Sequence, residues 1–298
     1  MRFVVSCLLI AFTACSPQPL AVDAGSMGGG LAGFGGGFAN GGGTTAGGSA
    51  GGFVVAGGMS GGGTVVDAGV STTTTIRVHY PTGTRRMFLR GALAPLSWTA
   101  GVAMQQVDAE TWTYSVPALA MDLEFKPRLD ETEWSKGPNF VVKPGTTVDV
   151  FPRFFRDTGE VSRRWVDFRS TALGNTRGVW VYLPPTYLEN TTFRAPVVYM
   201  HDGQNLFDAS TAFGGTEWQV DETMNRTAND GFIAEAIVVG PENTAARIDE
   251  YTPTSTMQYG GGQGATYLRF LVDELKPAVD REYRTRSDRE STVVIGSS

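Results

Sequence analysis

Three largely apolar runs constrain the C-terminal half of the chain: Pro196–Met200, Ala234–Val239 with Glu235 its one polar residue, and Val293–Ile295. A strand covered on both faces reads this way, whereas a strand with one wet face alternates. Segments with helical spacing separate the runs. Glu217–Thr227 predicts a short helix. Between Thr266 and Tyr283, residues Leu268, Leu271, Val272, Leu275 and Val279 fall on one helical face, with a kink expected at Pro277. Ahead of them, Trp165–Thr171 and Gly178–Leu183 predict a hairpin whose second strand stops at Pro184. Strand and helix in alternation predict a mostly parallel sheet with helices on both faces.

Upstream the rhythm changes. Short β-prone runs recur about every ten residues: Ile76–Tyr80, Met87–Gly91, Thr111–Val116, Leu123–Pro127 and Thr147–Phe151. Gly and Pro separate them, which predicts an antiparallel sandwich over residues 75–155. The mixed-charge stretch Pro152–Arg164 marks the boundary, and residues 156–298 form the second domain. Three tryptophans lie in Leu96-Ser-Trp98, Thr111-Trp112-Thr-Tyr-Ser-Val116 and Glu133-Trp134-Ser-Lys-Gly-Pro-Asn139. Their setting resembles the starch-binding and glycogen-recognition modules, which are immunoglobulin-like sandwiches. The resemblance implies that Trp98 and Trp134 stack on sugar rings while Trp112 packs in the core. Aromatic faces suit the apolar C–H patches of a pyranose. The other reading is a purely structural spacer. His79 is expected on a strand face with no chemical role.

Residues 1–74 differ again. Arg2 precedes an apolar core, Phe3–Phe12, that is too short for a permanent membrane span, which is the pattern of an export signal. Phe12-Thr-Ala-Cys15 resembles the lipobox of bacterial lipoproteins, with Phe12 where leucine is usual. This implies residues 1–15 as signal, a lipid anchor at Cys15, and a place at the outer membrane, periplasm or cell surface. From Gly25 to Gly69 the chain is mostly Gly, Ala, Ser and Thr with scattered Phe, Val and Met, so residues 16–74 are expected to act as a flexible tether. Cys7 and Cys15 are the only cysteines and His79 and His201 the only histidines, which argues against a zinc cluster; no metal or other cofactor is expected. The net charge of −6 offers no basic footprint for nucleic acid.

The C-terminal half also carries separate motifs in a fixed order. They are Arg177-Gly-Val-Trp-Val-Tyr-Leu-Pro-Pro185, Val197-Val-Tyr-Met-His-Asp-Gly-Gln-Asn-Leu-Phe-Asp208, Glu217-Trp-Gln-Val-Asp-Glu222, Asp273-Glu-Leu-Lys-Pro277 and Gly296-Ser-Ser298. Together they resemble the esterase family of α/β-hydrolases that includes enterochelin, feruloyl and acetyl-xylan esterases and related acyltransferases. The resemblance implies an α/β-hydrolase fold behind an immunoglobulin-like sandwich. It also implies an acyl ester as substrate, carried by a small molecule such as a siderophore or by a polysaccharide. Gly296-Ser297-Ser298 matches the first half of a G-x-S-x-G nucleophile elbow, which makes Ser298 the nucleophile. His201, Asp202, Gly203 and Gln204 form the oxyanion loop, with the Gln204 N–H donating to the oxyanion and Gly203 allowing close backbone approach. His201 is expected to orient this loop by hydrogen bonds rather than to act as base, and Asp202 to shape it. Glu217, Trp218 and Asp221 are expected to open the helix that flanks the cleft. The triad acid and histidine follow the nucleophile in this chain order, and none follows Ser298, so the sequence is expected to be the front portion of a longer enzyme. Acyl transfer to an alcohol, and glycan binding without catalysis, are the alternative readings.

Overall fold

The computed structural model of the protein describes residues 73–117 and 119–297. The leader, the Gly-rich segment, Cys15 and Ser298 lie outside the described residues. No described helix is long and apolar enough to cross a membrane.

Nine strands come first: β1 (Thr73–His79), β2 (Met87–Gly91), β3 (Val102–Ala103), β4 (Gln105–Gln106), β5 (Thr111–Pro117), β6 (Leu123–Leu129), β7 (Glu133–Trp134), β8 (Phe140–Val142) and β9 (Thr147–Val150). One sheet runs β4-β5-β1-β9, the other β3-β2-β6-β7, with β8 also on β6. All of these pairings are antiparallel except β1 with β9, which is parallel. Alternation decides which side chains go inward. In β1, Thr74, Ile76 and Val78 are buried while Thr73 and Arg77 are exposed. Ile76, Val78, Trp112 and Val116 of the first sheet meet Met87, Leu89, Leu123, Phe125 and Leu129 of the second in one core. The five strands read from the sequence are present. The short strands β3, β4, β7 and β8 carry no pattern long enough to be read in advance.

The C-terminal sheet contains β10 (Glu160–Arg169), β11 (Thr176–Leu183), β12 (Val197–Met200), β13 (Ile237–Pro241) and a C-terminal strand, Thr292–Ile295. A small hairpin, β14 (Ser255–Thr256) with β15 (Gly260–Gly261), stands apart from it, so the C-terminal strand is β16. The sheet order is β10-β11-β13-β12-β16. The expected hairpin is present as β10–β11, but the sheet is not mostly parallel. β10–β11 and β11–β13 are antiparallel, and only β13–β12 and β12–β16 are parallel. A short hairpin loop forces its two strands to oppose, and β11 then carries that direction against β13.

Helices cover both faces, as expected. They are α1 (Pro185–Glu189), α2 (Val220–Asp230), α3 (Arg247–Tyr251), α4 (Gly264–Arg269) and α5 (Lys276–Glu282). On one face Tyr267, Phe270, Leu271, Leu275 and Val279 pack against Val179, Val181, Val197, Tyr199, Ile237 and Val239. On the other, Leu206 with Val220 and Met224 of α2 covers Tyr182 and Val238. Two details correct the sequence reading. Between α4 and α5 the chain forms a π-helical stretch, Phe270–Leu275, in which the N–H of Lys276 reaches back to the C=O of Leu271. The irregularity expected at Pro277 is therefore taken up as a wide turn just before it. The wide turn shifts the phase of the helix, so the buried row is Tyr267, Leu271, Leu275 and Val279, and Leu268 and Val272 are about half exposed. Helix α2 starts at Val220 rather than Glu217, because Gln219 takes a left-handed conformation (φ 53°) that stops the helix from extending upstream.

The sandwich and the C-terminal sheet are joined by a polar seam. The Glu189 carboxylate, at the end of α1, accepts from the Tyr80 hydroxyl (2.9 Å) and from the N–H groups of Phe154 (2.6 Å), Phe155 (2.9 Å) and Arg156 (2.8 Å). Buried Asn190 donates to the carbonyls of His79 (2.8 Å) and Pro152 (3.0 Å). Buried Arg153 pairs with Glu235 and donates to Asn229.

Candidate active site

The carboxyl end of β12 lies between β13 and β16, so whatever follows Met200 emerges beside the end of both neighbours. His201 continues the ladder, its N–H donating to the carbonyl of Ile295 in β16 (3.0 Å). The chain then turns sharply. Asp202 adopts a left-handed conformation (φ 60°, ψ 49°), one that Asp tolerates better than most residues, and Gly203–Asn205 make a single 3-10 turn. Gly203 sits on β13: a Cβ there would lie 2.0 Å from the carbonyl oxygen of Gly240. Only glycine allows this approach.

Asp202 is the centre of the loop. It is 2% exposed, and its carboxylate accepts from Arg247 Nε (2.9 Å), Arg247 Nη2 (2.8 Å) and Asn243 Nδ2 (2.7 Å). Its N–H points to the Tyr251 hydroxyl (3.4 Å). Burial opposes the charged form, but the hydrogen bonds from Arg247 and Asn243 and the Arg247 charge outweigh it, so the carboxyl stays below its ordinary range. The next residues are tied outward. Gln204 accepts from the Asn243 N–H through Oε1 (3.2 Å), and Asn205 accepts from the N–H groups of Phe213 and Trp218 (2.8 Å each). The N–H groups of Gly203 and Gln204 have no acceptor among the described residues. They sit at the open end of the 3-10 turn, where backbone donors favour negative charge.

The His201 imidazole makes no side-chain hydrogen bond among the described residues, which corrects the expectation that it orients the loop that way. Its ring packs instead against Tyr251 (4.9 Å between centroids) and Tyr267 (5.3 Å). Burial lowers its pKa below the ordinary value, with Asp202 pulling up and Arg247 down, so the ring is neutral at neutral pH. Burial and the Asp202 charge likewise push the Tyr251 hydroxyl up to about 12.

A cleft of about 500 Å³ opens at this point, lined by Asp202, Gln204, Asn205, Phe213, Trp218, Asn243, Arg247 and Ser297. Phe213 is 91% exposed, on a turn whose Gly214 and Gly215 both have positive φ. Ser297 brings the end of β16 into the cleft, and Ser298, the expected nucleophile, follows it. At the cleft's flank, Asp221 is pushed up to about 6, by burial first and then by Glu222 and Glu217. Neither Glu217 nor Asp221 caps α2 through its side chain, since the N-cap is Gln219 without such a bond.

Asn243 and Arg247 hold this site and were not singled out in the sequence. Arg247 lies in Arg-Ile-Asp-Glu-Tyr251, which reads as an ordinary charged helical turn. The arginine–carboxylate fork becomes visible only once β12 and β13 are side by side. On the sandwich, Trp98 and Trp134 do come together, 6.3 Å apart and tilted by 42°, both over a third exposed. Arg128 lies 4.4 Å over the Trp134 ring, and Arg90 donates to the Trp98 carbonyl. Trp112 is buried in the core, as the resemblance implied.

Residues 170–298 match a family profile described as "Putative esterase". The uncharacterized protein YbbA of Bacillus subtilis is 28% identical over 133 residues, which covers 42% of this chain and 47% of YbbA. The chain thus spans about half the length of the curated relative it matches. Among solved structures, an IroE-like serine hydrolase from Shewanella oneidensis is 25% identical, covering 43% of this chain and 39% of its own, with a TM-score of 0.34. A ferulic acid esterase is 22% identical, covering 48% and 49%, also at 0.34.

Proposed function

We propose that this chain carries the nucleophile and the oxyanion loop of an exported serine esterase. One observation supports this reading most strongly: the free N–H groups of Gly203 and Gln204 stand at the end of β12, beside the strand that leads through Gly296 and Ser297 to Ser298. In the proposed reaction the Ser298 hydroxyl attacks the acyl carbon and gives its proton to a base. The carbonyl oxygen becomes an oxyanion held by the Gln204 N–H. Collapse expels the alcohol and leaves an acyl-enzyme, and water then attacks to release the acid. A preorganised donor of this kind contributes roughly 2.7–4 kcal/mol to the transition state. His201 is directed into Tyr251 and Tyr267 and His79 lies in the sandwich, so neither is assigned as the base of the reaction. The substrate class is an acyl ester of a polysaccharide or siderophore. Export and lipid anchoring at Cys15 belong to the same proposal.

The direct test is turnover of nitrophenyl esters by the protein as its gene encodes it. Activity that disappears in Ser298→Ala agrees with the reading, and activity that survives the substitution refutes it.

The pairing of Trp98 with Trp134 favours a second role for the sandwich as a glycan-binding surface. Stacked sugar rings bring apolar contact without needing a deep pocket. Retardation in gels containing polysaccharide, lost in Trp98→Ala and Trp134→Ala, is the expected outcome. Equal mobility of all three proteins leaves the sandwich as a spacer.

A further inference from the structure

Arg247 lines the cleft with its side chain about a third exposed, the usual position of a residue that binds an anionic part of a substrate. Its hydrogen bonds point elsewhere. Nε and Nη2 are both engaged by the two oxygens of the Asp202 carboxylate, and Nη2 also faces the Ser297 carbonyl at 3.5 Å. Its guanidinium lies 4.9 Å over Tyr251, whose hydroxyl meets the Asp202 N–H. Asp202 is buried, left-handed and immediately before the two free N–H groups. Ser297 immediately precedes the proposed nucleophile.

We infer that Arg247 is a positioning residue that locks the oxyanion loop, through Asp202, to the end of the nucleophile strand. This rests on the esterase reading and extends it. A bidentate arginine–carboxylate pair fixes direction as well as distance, which a point charge cannot do. A carboxylate held at both oxygens cannot swing, so the φ of Asp202 and the direction of the next N–H groups are fixed with it. The neighbouring residue Asn243 braces the same frame, binding Asp202 through its side chain and Gln204 through its N–H. The reach of one side chain therefore sets where the oxyanion donors stand relative to the serine.

The experiment compares the full gene product with Arg247→Lys and with the double variant Asp202→Asn plus Arg247→Gln. The double variant leaves no lone buried carboxylate, so it keeps the test valid if single variants fold poorly. Rates are read on a neutral and an anionic nitrophenyl ester. Both variants are expected to lose about 10- to 100-fold in kcat, the scale of a misplaced catalytic group, with KM changed less than about twofold and the same loss on both esters. Amide hydrogen exchange at Asp202 and Asn205, the hydrogen-bonded amides of the loop, is expected to quicken in both variants and to stay unchanged in Ser298→Ala. Wild-type kcat in the lysine variant, or in a folded double variant, overturns the inference. So does a loss confined to KM for the anionic ester, which would make Arg247 a substrate contact. Turnover retained in Ser298→Ala sinks the esterase reading alone, and hydrogen exchange then decides the role of Arg247.

Discussion

The sandwich core and the loop after β12 are held in place by different means. In the sandwich Ile76, Val78, Met87, Leu89, Leu123 and Phe125 are all fully buried, each sheet covering the other. In the C-terminal sheet Val179, Val181, Val197, Ile237 and Val239 are buried to the same degree. Close packing positions the side chains of the sandwich core. The loop after β12 carries backbone donors without an acceptor among the described residues, and polar ties position it instead: Arg247 and Asn243 on Asp202, Asn205 on Phe213 and Trp218. Beneath it Arg177 and Glu250 form an ion pair with side chains 0% and 1% exposed.

The largest effect is expected at that pair. Arg177→Ala leaves the Glu250 carboxylate buried and uncompensated, and a loss of about 3–5 kcal/mol in denaturant unfolding is expected. A loss below about 1 kcal/mol would mean that the pair behaves as a surface contact and that packing alone holds both regions.

Next comes the sandwich core. Leu89→Ala is expected to cost about 2–5 kcal/mol in the same unfolding measurement, from transfer and cavity together. A loss below about 1 kcal/mol would show that the sandwich closes around the gap and that packing does not set its geometry.

The smallest effect tests the acidic flank of the cleft. Asp221 binds its proton more tightly folded (about 6) than at its ordinary 3.8, so its contribution is present at low pH and lost as pH rises through about 6. Asp221→Asn is therefore expected to raise stability above pH 6, by about 1 kcal/mol at pH 8 after discounting for solvent screening at this partly exposed site. A variant less stable than the parent at pH 8 would contradict the assigned shift.

The same contrast explains what was legible in the sequence. Apolar runs and alternation follow from burial, so Met87–Gly91 was read with its ends correct and the run Val293–Ile295 falls inside β16. The place of the His201–Gln204 loop at the end of β12 followed from the apolar run Pro196–Met200 that precedes it. Features decided by backbone detail were not legible. The π-turn before Pro277 moved Leu268 and Val272 to the surface, and the left-handed Gln219 shortened α2. The parallel share of the sheet was overestimated because a continuous apolar strand looks the same in either direction. Arg247 and Asn243 stayed hidden because their partner, Asp202, is more than forty residues away.

The most direct measurement is the site of covalent modification by diisopropyl fluorophosphate in the full gene product, mapped by peptide mass. A single adduct on Ser298, formed in the native protein and absent after unfolding, is the predicted result. An adduct on another residue, or an unmodified Ser298 in a protein that still hydrolyses esters, would contradict the account.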